Sequence, residues 1–496
     1  MVQTITGGNG PVGTVTNAVF LSTLVQKKLF ITSGALGAFG TVVGGAYGIG
    51  GDVSQVWTID NQGTVSAPAS YGIGISLSGA GTIINDGTAS AISGFGGGVA
   101  LGSGIVRNQG SILGLGGAGV AFSQGGTLVN TGAAAFLSGM NGVTAAGARA
   151  TVANTGVIIG NLNGIKLTAG GIVRNLGSDA LIEGHTPTGI DISGASGTVI
   201  NSGGIQGATA VRLEQGGTLD NLAVGQIEGF DIGASLDNGG TLLNQGTLRA
   251  GAIGVTLGNG GSVVQEGLAS FLSGGAYGIL ASGVPASVEN DGTIKQVRSI
   301  HTTGGGGSAA IGLGAGGTVT NVGTGSLINF SDLGIIASGF AMVVNQGSII
   351  QAGTSGGGVP LAVELSAGGT VLNAAGALIS SQHAIAIAGT GTVINLGSIV
   401  AGVRAGFGVD RGLVVNAGRV SGFDGIGVAN GSIQNSGIID ATHTGMSMLA
   451  GTITNTGTIK APTGPNGTGI KILGDGSHGS LRANNSETST PREFRP

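Results

Sequence analysis

The ionisable side chains that could do chemistry are few, and they cluster in one stretch of the chain. Lys166, Asp191, Arg212 and Asp231 recur at similar intervals, each midway in an apolar-x-apolar triplet, with Glu214 and Glu228 close by. Grouped carboxylates on one face are what glycoside cleavage and other general acid–base chemistry require. Alternating signs on strands about 5 Å apart form instead an ion-pair ladder on a solvent face. The second reading fits the residue types better, because only one Trp and three Tyr are available to grip sugar rings. A carbohydrate-active lyase or hydrolase built on these acidic coils stands as the alternative. The five His are well separated and Cys is absent, so no metal site, thiolate ligand or disulfide is expected. Gly114-Leu115-Gly116-Gly117-Ala118-Gly119 matches a dinucleotide fingerprint and Gly353-Thr354-Ser355-Gly356-Gly357 a nucleophile elbow. With 109 Gly in 496 residues, about five matches of the first kind arise by chance, and neither has its strand–turn–helix context. No catalytic residue and no cofactor are expected.

Composition narrows the partners. Charged residues make up 8% of the chain and the net charge is −4. Such a chain has no basic stripe to neutralise phosphates, which argues against nucleic-acid binding. No apolar run reaches the 18 residues of a membrane-spanning helix. Residues 19–31 are apolar but contain Lys27 and Lys28, and no basic segment precedes them, so they do not read as a signal peptide. Gly and Pro are abundant, yet 41% of residues are hydrophobic, too many for a disordered chain. Periodicity settles what kind of fold uses such a mixture.

A unit reading aliphatic-x-Asn-x-Gly recurs from Asn61 and Asn85 through Asn201 to Asn455, with Gln265 in the one gap, giving 18 coils of about 23 residues. Two positions before the anchor stands Val, Ile or Leu in every coil; two positions after it stands Gly, except at Ala223 and Ala375. A second marker is an apolar-x-apolar triplet introduced by Gly or Ala, as in Ile75-Ser76-Leu77, Ile165-Lys166-Leu167 and Val363-Glu364-Leu365. In the coil of Asn221 the triplet is read as Phe230-Asp231-Ile232. Between the markers lies a third short apolar segment, for example Ser111-Ile112. Period-2 alternation in three short segments per coil predicts a three-sided, right-handed parallel β-helix over residues 58–473. Residues 1–57 are expected to be an atypical capping segment and 474–496 a disordered polar tail. The anchor amides are expected to hydrogen-bond from coil to coil, ending at Asn455, and the following Gly to supply a positive φ at a corner.

The GGTVxNxG and GIxL units resemble the passenger domains of bacterial autotransporters and related β-strand-repeat surface proteins, over residues 58–473. The resemblance implies an extracellular or cell-surface module, adhesin-like or structural. Its contacts would be a host or matrix glycan or protein, or a second copy of itself. A signal peptide and a C-terminal translocator barrel, both features of that family, are not recognised in this chain.

Two outward features are candidate contacts. The column just before the anchor holds branched aliphatics in half of the coils, and Leu372, Ile394 and Val415 fall in consecutive ones, an expected apolar stripe. Three positions before the anchor, Thr recurs in eleven coils; paired Thr columns bind ice in some solenoids, a minor alternative, while ordinary β-propensity explains a single column. Coil length varies mainly between anchor and triplet, with the longest excursions at 295–310 and 350–362. His185, Arg298, His301, Arg404 and His443 lie in this variable region and are the candidate contact-loop residues.

Overall fold

The computed structural model describes residues 2–6, 14–15, 19–21, 28–32, 41–53, 56–298, 308–352, 359–402, 405–461, 467–472 and 482–485. The described residues contain strands and no helix, and the chain is an all-β parallel solenoid of about 18 turns. It divides into two compact units, Met1–Ala250 and Gly251–Pro496.

In the first unit each turn contributes three strands, and each strand pairs in parallel with its counterpart one turn on. Anchor strands Thr127–Asn130, Ala150–Asn154 and Gly171–Asn175 align Asn130, Asn154 and Asn175. Middle strands Phe136–Gly139, Val157–Gly160 and Leu181–Gly184 form a second face, and triplet strands Val143–Ala145, Ile165–Leu167 and Thr188–Ile192 a third. The second unit repeats this scheme, with Asn290, Asn321 and Asn345 aligned on its anchor face. Alternation dictates what is buried. In the coil of Asn154, Val152, Ile158, Ile165 and Leu167 are all fully buried, so about four aliphatics per turn fill the core. Each contributes about 1.5–3 kcal/mol, realised only when turns stack on one another.

The anchor amides form the expected ladder. From Asn61 to Asn244 each Nδ2 donates to the Oδ1 of the next turn, at 2.9 Å from Asn175 to Asn201 and 2.8 Å from Asn201 to Asn221, and these three amides are fully buried. In the second unit the same bonds run from Asn290 through Asn373 to Asn455. The Gly after the anchor serves two purposes rather than one. Where the middle strand starts late, as after Asn130, Gly132 has φ +105° and open space around it. Where it starts early, as after Asn108, a Cβ on Gly110 would lie 2.2 Å from the Ser90 carbonyl oxygen, so close approach excludes a side chain.

Strand pairing reaches beyond the expected bounds of the repeat, and one triplet is placed differently. Strand pairing extends before residue 58: Lys28–Thr32 pairs with Trp57–Asn61, placing the buried Ile31 opposite Asn61, and Val2–Thr6 pairs in turn with Lys28–Thr32. An aliphatic in the amide column hid these turns from the Asn motif. Pairing also extends past 473, where Arg482–Asn485 aligns Asn485 with Asn455. The triplet of the Asn221 coil is Ala234-Ser235-Leu236, aligned with Val211-Arg212-Leu213, while Phe230 is exposed at the corner. Phe230-Asp231-Ile232 has the better alternation, but Gly229 ends the middle strand and these residues make the bend.

Candidate contact surfaces

On the triplet face of the first unit the register places Lys166, Asp191, Arg212 and Ser235 on successive turns; Asp231 is exposed and outside the column. Lys166 Nζ lies 3.9 Å from Asp191 Oδ2, and Arg212 Nη2 lies 2.7 Å from Glu214 Oε1. Glu228 is on the middle face, between Gln206 and Arg249, and does not join them. The set is a ladder of alternating charges, with Lys166 beside Asp191 and Arg212 beside Glu214. Burial pushes the Asp191 carboxyl above the usual carboxylate range, against the opposing pull of Arg212 and Lys166, with Glu214 adding to the rise. A raised carboxyl pKa means that Asp191 favours the fold when protonated and loses that contribution as pH rises through its folded pKa. Asp191→Asn is accordingly expected to raise the denaturation midpoint at pH 7. The gain should shrink as the pH falls through that range; a lower midpoint at pH 7 would show that the Lys166 pair dominates.

The corner between middle and triplet strands carries the variable lengths. His185, Arg298 and His443 all sit there, on separate turns, whereas His301 and Arg404 lie outside the described residues. His185 Nε2 is 3.6 Å from Glu183 Oε1. Arg298 points its importance through the backbone: its carbonyl accepts a hydrogen bond from the Gln296 side chain. His443 Nδ1 is 2.7 Å from Asp424 Oδ1 and 3.1 Å from Thr444 Oγ1, and its ring stacks on Phe423 at 4.8 Å. A catalytic relay needs the carboxylate and the nucleophile on opposite ring nitrogens. Here both address Nδ1, which is not the geometry of a relay.

Sequence reasoning missed two buried polar groups at the same corner. In the first unit Asn163 Nδ2 donates to Asn141 Oδ1 at 2.8 Å, and the Thr188 hydroxyl donates to Asn163 Oδ1. In the second, Ser308 Oγ donates to Asp332 Oδ2 at 2.6 Å and Gln296 Oε1 accepts from the Ser331 amide at 2.7 Å. The signal was present in the first set, as a polar residue directly before the Gly that introduces each triplet: Asn141-Gly142, Asn163-Gly164, Thr188-Gly189.

On the anchor face of the second unit, Leu372, Ile394 and Val415 occupy adjacent rungs, and Val344 extends the row by one. All four are partly exposed. The flanking column holds Met342, Thr370, Thr392 and Leu413, so these two columns carry no charge, and the exposed Arg411, in register with Thr390, stands beside them at the edge of the face. The Thr column does face outward, but aliphatics share the surface with it. Elsewhere, a shallow groove of about 230 Å³ runs over Ser76, Ala100 and Ala121 on the triplet face of the first unit. That is smaller than the clefts that engulf small ligands. No helix among the described residues is long and apolar enough to cross a membrane. No family model and no curated protein matches the chain.

Proposed function

We propose that the chain is a non-enzymatic, exported or cell-surface β-solenoid that works by contact, as an adhesin-like or structural binding module akin to autotransporter passengers. The observation that carries this reading is the uncharged row of Val344, Leu372, Ile394 and Val415, four rungs of aliphatic side chains held partly in solvent on a regular sheet. A contiguous apolar row on an otherwise polar surface marks a covered surface. The partner class is a glycan or protein of a host or matrix surface.

The test changes Leu372, Ile394 and Val415 together to Thr, which keeps β-propensity and outward shape while removing apolar contact. The circular-dichroism spectrum and unfolding midpoint are expected to stay near wild type. Retention on immobilised matrix proteins and extracted glycans should fall about tenfold, the equivalent of about 1.4 kcal/mol. An unfolded variant would assign these side chains to the core, and undiminished retention would remove the row as the contact. Reducing-sugar release from acidic polysaccharides, expected to be nil, separates this reading from the carbohydrate-active alternative centred on Asp191.

A further inference from the structure

We propose that the first unit forms a parallel two-fold dimer with a second copy of the chain, through a ridge and a trough that lie side by side. The ridge stands on the corner between middle and triplet strands. Tyr71, Phe95, Leu115, Met140 and Leu162 project there from five consecutive turns, Tyr71 being 89% and Leu115 65% exposed. Backbone bonds link the turns at this corner, from the Gly116 amide to the Phe95 carbonyl, from Met140 to Gly117 and from Leu162 to Met140, so the side chains follow one another from turn to turn, with a step of two residues between Leu115 and Met140. The trough is the shallow groove along residues 76–78, 100–102 and 121–123, which covers the adjoining triplet face and the start of the corner after it, with the small side chains of Ser76, Ala100 and Ala121 at its ridge side. It belongs to the same turns as the first three ridge residues.

Charge selects the occupant. Among residues 62–165 only Asp86, Arg107 and Arg149 are charged, and none lies on the ridge or the trough. An uncharged surface accepts a copy of itself without opposing like charges, which a partner with a charged face would not match. Period selects the geometry. Knobs and hollows both recur at the strand spacing of about 4.8 Å, so two copies mesh along their length in register. A two-fold axis parallel to the stack puts each ridge over the other copy's trough, whereas an axis across the stack puts ridge on ridge. In the first arrangement Phe95 meets Ala100, Leu115 meets Ala121, and Leu162 lies over the aliphatic stem of Lys166. The two Lys166 ammonium groups are then about 16 Å apart, beyond the screening length of roughly 8–10 Å.

The contact spans about 24 Å along the stack and about 20 Å across, giving about 1,000 Å² over both copies, the lower bound for a specific interface. A concentration-dependent dimer is therefore expected. Sedimentation velocity from about 1 to 100 μM should show the monomer giving way to dimer. Phe95→Ser with Leu115→Ser should weaken dimerisation at least tenfold with an unchanged spectrum, because both side chains are largely outside the core. The chain has no Cys, so single-Cys variants report the register directly. An equimolar mixture of Leu115→Cys and Ala121→Cys should oxidise to a cross-linked heterodimer faster than Leu115→Cys alone. A chain that stays monomeric overturns the proposal, as does faster cross-linking of Leu115→Cys with itself. Ridge-dependent co-sedimentation of a monomeric chain with phosphatidylcholine vesicles would assign the ridge to lipid and overturn it as well. The triple-Thr variant of the second unit should dimerise normally, so this inference and the proposed contact row can fail separately.

Discussion

Asn201→Ala is expected to cost about 2–3 kcal/mol of unfolding free energy, and Asn61→Ala about half of that. At Asn201 the side chain is an acceptor for Asn175 Nδ2 at 2.9 Å and a donor to Asn221 Oδ1 at 2.8 Å. Its Oδ1 also accepts the Gly203 amide at 3.2 Å. Truncation leaves a donor above and an acceptor below without their amide partner, in a column where every amide is shut off from water. Asn61 differs on one side only. It donates to Asn85 Oδ1 at 2.7 Å and accepts from the Gly63 amide, but the column position before it is Ile31, which has no donor to lose. The difference between the two variants therefore isolates one buried amide partner. Denaturant midpoints followed by circular dichroism measure it, and Trp57, the single Trp, fully buried at the start of the strand that ends in Asn61, gives a second probe. Equal losses at the two positions would remove the ladder as the source of stability. Asn455 is no substitute for Asn61 as the end of the ladder, because the strand holding Asn485 pairs with it.

The parts of this fold that were legible in the sequence are those locked to the anchor. The aliphatic two before each Asn, the amide itself and the Gly two after it keep fixed offsets, because all three belong to one strand and its corner. Ile31 was illegible for the opposite reason: it fills the amide position with a residue that the motif excludes. The misplacement of Phe230-Asp231-Ile232 shows where alternation misleads. Ala234-Ser235-Leu236 is the poorer pattern, yet its Leu236 stands six residues before Leu242, within the five to seven of the other coils, and spacing outranked hydrophobicity. The ridge was harder still. Tyr71 follows its anchor by ten residues, Leu115 by seven and Leu162 by eight. No single offset reveals the row, since corner lengths differ and only strand pairing aligns the projecting residues.

Gly160→Ala is expected to be the more damaging of two glycine substitutions, costing about 3 kcal/mol against about 1 for Gly132→Ala. The two glycines are required for different physical reasons. Gly160 ends a middle strand, and a Cβ there would lie 1.8 Å from the Asn163 carbonyl oxygen and 2.4 Å from its carbon. Those atoms are backbone of the tight bend into the triplet strand, so relief demands moving the corner. That corner holds the Asn163 amide, which donates to Asn141 at 2.8 Å, and carries the Gly142 amide bond to the Asn163 carbonyl at 3.0 Å. Overlap therefore spreads into neighbouring turns on both sides. Gly132 has φ +105°, unfavourable for a side chain, but nothing stands within 4 Å of the added carbon. Its substitution costs local backbone strain, partly offset because Ala restricts the unfolded chain more than Gly does. Loss of strand pairing should also differ in extent. Amide exchange in Gly160→Ala is expected to accelerate at Gly142, Leu162 and Gly164, whose bonds converge on the bend, while Gly132→Ala leaves them protected. A larger loss at Gly132 than at Gly160, read from denaturant midpoints, would mean that backbone conformation and not close approach sets the demand for glycine at these corners.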